Sequence, residues 1–237
     1  MGITDYTTLS RQHGLMREMR MVANNIANMA TTGYRQQGVV FSEYVRQTDR
    51  DGSVAMSASR VRNTSLAQGA LTRTGGQLDL AIEGDGFFLV QTPAGERLTR
   101  AGNFASSSAG DLVTQDGHLV LDSGGASVFI PPDATDLAIG QDGTISSNGA
   151  PIGQIGIVQP LDPGALIREG GVLFRAEAGY DPAEAPRVRQ GFVESANVDA
   201  ILQIARMIEV QRAYEMGQNF LQREDERVRA AIKSMIT

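Results

Sequence analysis

The 237-residue sequence has no cysteine and no tryptophan, only two histidines, and just 5% aromatic residues. Without cysteine there are no disulfides, no thiolate zinc sites and no thiol nucleophile. The histidines, His13 and His118, fall on the polar side of a helical pattern and after a hairpin signal, each without an evident partner. Both read as surface residues. No stretch approaches the roughly 18–20 apolar residues of a membrane span. Met1 to Tyr6 runs into a charged amphipathic segment with no apolar signal-peptide core. That pattern implies a cytoplasmic chain unless export uses a route that does not read such a signal. Twenty-one Lys and Arg against 27 Asp and Glu give a net charge of −6 with no basic stripe, which argues against nucleic acid as a main partner. The glycines at 75, 76, 84 and 86 precede no Gly-Lys-Ser/Thr, and no Gly-x-Ser-x-Gly elbow occurs. Asp79, Glu83 and Asp85 lack calcium-loop spacing and read as a turn before a buried strand. No catalytic residue, metal ligand or cofactor site is expected.

What the chain does have lies at its two ends. Leu15, Met19, Val22, Ile26 and Met29 recur at spacings of four, three, four and three, the apolar seam of a coiled coil. Met207, Val210, Tyr214, Gly217 and Leu221 repeat that spacing, and Val228, Ile232 and Met235 extend it. Helices are therefore expected over 5–29 and 198–235, the second about 57 Å long at 1.5 Å per residue. Asn197 is expected to cap it, with Asp199 in its first turn. Neither stripe is buried by its own helix, so the ends are expected to pair with each other or with neighbouring copies. Tyr34 and Tyr214 read as packing residues of these associating helices.

Between the ends the pattern changes. Asn24, Asn25, Asn28, Thr31, Thr32 and Gly33 mark the stop of the first helix. Residues 35–76 read as an extended connector, with a short strand at Val39–Phe41 and a polar loop over Gln47–Ser53. From 77 to 193 short apolar runs alternate with turns. Strands are expected at 86–91, 97–100, 155–158, 172–174 and 188–193. Hairpins are expected across Asp116-Gly117 and Asp142-Gly143, since two-residue turns favour Asp-Gly at positive φ. The fold class is mixed α and β. Terminal helices 1–34 and 194–237 pair as a coiled-coil domain, and an antiparallel all-β domain is inserted between them.

Three separated stretches resemble one family. Ala23-Asn24-Asn25-Ile26-Ala27-Asn28-Met29-Ala30-Thr31-Thr32-Gly33-Tyr34-Arg35 is similar to the N-terminal signature of flagellar basal-body rod and hook proteins. Glu194 to Asp199, then Met207 to Glu215, resembles the family's closing motif. Leu78 to Phe88 and Leu98 to Phe104 resemble its central segments. The short length and compact connector look most like the proximal-rod type, with the distal-rod type as the alternative. The resemblance implies a structural, non-enzymatic subunit of the rod that crosses the periplasm. It also implies export through the flagellar type III apparatus and assembly with copies of itself and other rod proteins. Leu15, Met19, Val22, Asn25, Ile26, Asn28, Met29, Met207, Val210, Tyr214, Leu221, Val228 and Ile232 are the expected assembly interface. Two readings from other classes stand beside it: an enzyme built on the β domain, and a secreted ligand-binding module on a coiled-coil stalk.

Overall fold

The computed structural model describes residues 3–48 and 52–236. By contacts the chain divides into two units. One gathers 1–27, 36–65 and 198–237. The other gathers 28–35 and 66–197. These limits differ from the expected ones at each junction: residues 28–35 group with the β-rich unit, and most of the connector groups with the helices.

The first unit holds helix α1 (Ile3–Ala27), strands β1 (Gln37–Thr48) and β2 (Gly52–Thr64), and helix α2 (Ala200–Ile236). The segment read as an extended connector is largely this β1–β2 hairpin, paired antiparallel along its whole length with a register shift between Val40 and Phe41. Its pairing extends far past the Val39–Phe41 run. Gln47 and Thr48 lie in β1 and Gly52 and Ser53 in β2, so the polar-loop reading is corrected there; its middle, residues 49–51, is outside the described residues. α1 is in contact with α2 and with both strands. The 37 residues of α2 make it about 56 Å long. Its start differs from expectation. The Asp199 carboxylate accepts the Leu202 N–H at 3.0 Å, so Asp199 is the cap. Asn197 instead donates its amide to the Ala67 carbonyl at 2.7 Å, inside the β-rich unit.

In the second unit every strand pairing is antiparallel. Its central strand, Phe87–Thr92, pairs with Gly95–Thr99, Leu119–Val120 and Ile157–Pro160. Successive side chains of a strand point to opposite faces. Phe88 and Val90 enter one apolar cluster, while Phe87 and Leu89 enter another. A strand buried on both faces has a continuous apolar sequence, which is why Gly86 to Gln91 is legible as one. Edge-to-face rings lock each side: Phe88 on Phe104 with centroids 5.1 Å apart, and Phe87 on Phe174 at 5.8 Å.

The hairpins stand where Asp-Gly marks them, but with another turn geometry. Gly117 and Gly143 have φ of 79° and 83°, whereas Asp116 and Asp142 are not left-handed. The Asp142 carboxylate instead accepts from the Thr144 N–H and hydroxyl, at 3.1 and 2.8 Å. The two-residue turn with both φ positive occurs at Asn148-Gly149, 50° and 80°, joining Thr144–Ser147 to Ala150–Gln154. The strand expected at 155–158 begins at Ile157, and the run expected over 188–193 breaks at Gly191, whose φ is 76°.

Candidate assembly interface and its anchors

Within the helical unit, polar contacts fix how α1 and α2 meet. The Gln12 amide donates to the Tyr214 carbonyl at 2.9 Å. Arg206 Nε donates to the Glu18 carboxylate at 2.6 Å, and Asn25 Nδ2 to Gln203 Oε1 at 3.1 Å. As positions rise along α1 their partners fall along α2, so the helices run antiparallel. Val22 and Val210 are buried, and Leu15, Met19, Ile26, Met207, Tyr214 and Leu221 are half-buried. Asn25 is fully buried. It also accepts the Gln37 N–H and donates to the Gln37 carbonyl, both at 2.9 Å, and so ties α1 to the first residue of β1.

The remaining seam positions fall elsewhere. Val228 and Ile232 are exposed near the free end of α2, together with Met235. Asn28 and Met29 belong to the β-rich unit, Asn28 half-buried and Met29 exposed. There Asn28 accepts the Thr31 hydroxyl at 3.2 Å and shapes a turn beyond the end of α1. A groove of about 340 Å³ opens between Thr8, Arg11, Gln12 and Leu15 of α1 and Ala213, Met216, Gly217 and Phe220 of α2. Its rim exposes Met216 and Phe220.

In the β-rich unit the two family-like junctions lie side by side. The Gly33 N–H donates to the Glu194 carbonyl at 2.7 Å, and the Asn197 N–H to the Tyr34 carbonyl at 3.2 Å. Gly33 is not the C-cap of α1. With φ at 69° it sits where a Cβ would overlap Ala101 and Arg100, so only glycine fits. Beneath it Glu194, 1% exposed, is clamped by Arg35 at 2.9 Å and Arg100 at 3.1 Å. The Glu194 carboxylate also accepts the Gly69 N–H at 2.8 Å. Burial holds both guanidiniums below the usual arginine range, Arg100 at about 10, while Glu194 opposes the shift. Tyr34 is not a helix-interface residue. It is buried in this unit, with the Arg168 guanidinium 4.7 Å from its ring and 4.7 Å from that of Phe174.

Nothing in this arrangement resembles a reaction centre. Among the described residues no three His, Asp or Glu side chains are placed to hold a metal ion. Glu83 pairs with Arg189 at 3.4 Å. No helix among them is long and apolar enough to cross a membrane. Sequence reasoning missed Gln12, Glu18, Gln203 and Arg206, because polar residues do not enter an apolar-stripe count. Glu18 and Asn25 are seven residues apart beside the seam, and that spacing was the available signal.

Three stretches of the chain match known family models. Residues 6–35 match the model described as flagella basal body rod protein, 81–147 the flagellar hook protein FlgE/F/G D1 domain, and 189–234 the flagellar basal body rod FlgEFG protein C-terminal model. The chain is 39% identical to the flagellar basal-body rod protein FlgF of Caulobacter vibrioides, over 97% of this chain and 96% of that protein. It is 38% identical to FlgF of Mesorhizobium japonicum, covering 89% and 88%. It is 34% identical to the flagellar basal-body rod protein FlgG of Bacillus subtilis, covering 93% and 94%. The chain belongs to the flagellar basal-body rod protein family, with relatives of the FlgF type.

Proposed function

We propose that this structural rod subunit, which is not an enzyme, occupies the proximal rod and joins it by coiled-coil pairing of its terminal helices. Its location is the flagellar basal body. The carrying observation is that both family-matched ends, 6–35 and 189–234, contain helices that pair yet leave Met216, Phe220, Val228, Ile232 and Met235 exposed. Apolar positions left over from a helix pair are satisfied by further helices. Those helices are supplied by copies of this chain and by other rod proteins. Leu15, Met19, Val22, Ile26, Met207, Val210, Tyr214 and Leu221 form the seam, with Asn25 its polar contact, and Asn28 and Met29 of the β-rich unit are further assembly contacts. Contacts between such subunits are heterologous and open, so they propagate along a shaft instead of closing as a dimer. Delivery is through the flagellar type III export apparatus, to a rod that crosses the periplasm.

The test is deletion of the gene, followed by electron microscopy of isolated basal bodies. Rods that halt before the distal segment, and cells that do not swim, are the expected result. Halting only after a complete proximal rod would move the subunit to the distal position. Complete, rotating flagella would remove the assembly role.

A further inference from the structure

The apolar seam does not define one register. On α2 it repeats every seven residues through Met207, Tyr214, Leu221, Val228 and Met235. α2 has 37 residues and α1 only 25, so the apolar stripe taken alone would let α1 shift by one heptad toward the free end of α2 and still meet apolar positions. The polar residues break this degeneracy. In the observed register Glu18, 5% exposed, meets Arg206, and Asn25 meets Gln203. One heptad further along, Glu18 would face Ala213 and Asn25 would face Val210. That slip leaves a buried carboxylate without its cation and removes the amide partner of Asn25. Gly217 leaves room for the Gln12 amide. A Cβ at that position would overlap the Gln12 amide, whose Nε2 bonds the Tyr214 carbonyl. After the slip Gln12 would face Glu224.

We propose that Glu18 with Arg206, and Gln203 with Asn25, are positioning residues that select the register of the two terminal helices. The apolar stripe supplies attraction without choice. This selection concerns α1 and α2 within one chain, so it stands or falls independently of the rod-assembly reading. It also accounts for a seam that keeps buried polar groups, the best-attested use of such groups in helix pairs.

Because the native sequence has no cysteine, register can be read by oxidation of introduced pairs in the full-length chain. Gln12→Cys with Gly217→Cys reports the observed register, and Gln12→Cys with Glu224→Cys reports the slipped one. With Glu18, Arg206 and Gln203 intact, the first pair should cross-link at least about tenfold more than the second. Replacing Glu18, Arg206 and Gln203 by Leu should bring the two yields to within about threefold of each other, as the polar discrimination is gone. Asn25 is left in place because it also holds Gln37. Arg206→Lys, which keeps the charge, should retain the original preference. If the triple variant loses helical circular dichroism, Gln203→Leu alone carries the same comparison, with a smaller drop in preference. An unchanged preference in the Leu variants overturns the proposal. So do equal yields from both pairs in the chain with its polar residues intact.

Discussion

Glu194 forms ion pairs with two buried arginines, Arg35 and Arg100, at the place where the chain enters and leaves the β-rich unit. Several arginine nitrogens here, Arg35 Nε and Nη2 among them, reach no protein acceptor, and Asp85 acts on the two guanidiniums less strongly than Glu194, so the cluster depends chiefly on Glu194. Glu194→Ala should cost about 3–5 kcal/mol in denaturant unfolding of this unit, because two charges are then stranded in a dry site. A loss below about 1 kcal/mol would show that water reaches the guanidiniums. Tyr180 gives a second residue-scale test. Burial, then its hydrogen bond to Glu96, pushes its hydroxyl up to about 12. A phenol whose folded pKa is raised contributes stability that is present below its unfolded pKa of about 10 and is lost as pH rises toward 12. Tyr180→Phe should therefore flatten the fall in stability across that window. It should also remove one late phenolate step from an absorbance titration. An unchanged alkaline slope would show that Tyr180 is hydrated.

Among the elements, the start of α2 separates two nearby polar residues, Asn197 and Asp199, by role. Asp199→Ala removes the carboxylate that holds the Leu202 N–H and should cost about 1 kcal/mol of helix stability. Asn197→Ala should leave helix content unchanged, since its amide bonds Ala67. Circular dichroism of the two variants distinguishes them, and the reverse order would return the cap to Asn197. The same site shows what sequence makes legible. That a helix begins near here follows from periodicity, but Asn and Asp two residues apart are both good caps and only packing chooses between them. The strand at Phe87–Thr92 could be read because both its faces are buried. The strand Ala150–Gln154 carries Pro151 and Gly153 and has no apolar run, although Asn148-Gly149 announced its hairpin. The β1–β2 hairpin reads in the sequence as an extended connector with one short strand and a polar loop. Beyond Phe41 its sequence turns polar, and its length comes from cross-strand pairing, which a single strand does not display. The candidate interface was legible as an apolar spacing, whereas the polar residues that meet across it were not.

At the scale of the whole molecule, the chain is a rod-family subunit with a helical unit drawn from both ends and a β-rich unit with two apolar clusters of its own. The division implies that damage to the helical unit spares the other. Val210→Asp places an unpaired charge in the buried seam and should cost several kcal/mol there. The β-rich unit should keep its protease resistance, and shared loss of both would contradict independent cores. Val228 and Ile232 offer the sharper case, because they are exposed in the single chain and so owe it little stability. The most direct measurement is the amount of a Val228→Asp, Ile232→Asp variant in isolated basal bodies, set against its melting curve as purified protein. Assembly through the terminal helices predicts an unchanged melt and a subunit that is exported but absent from the rod. Normal incorporation of the variant would contradict it.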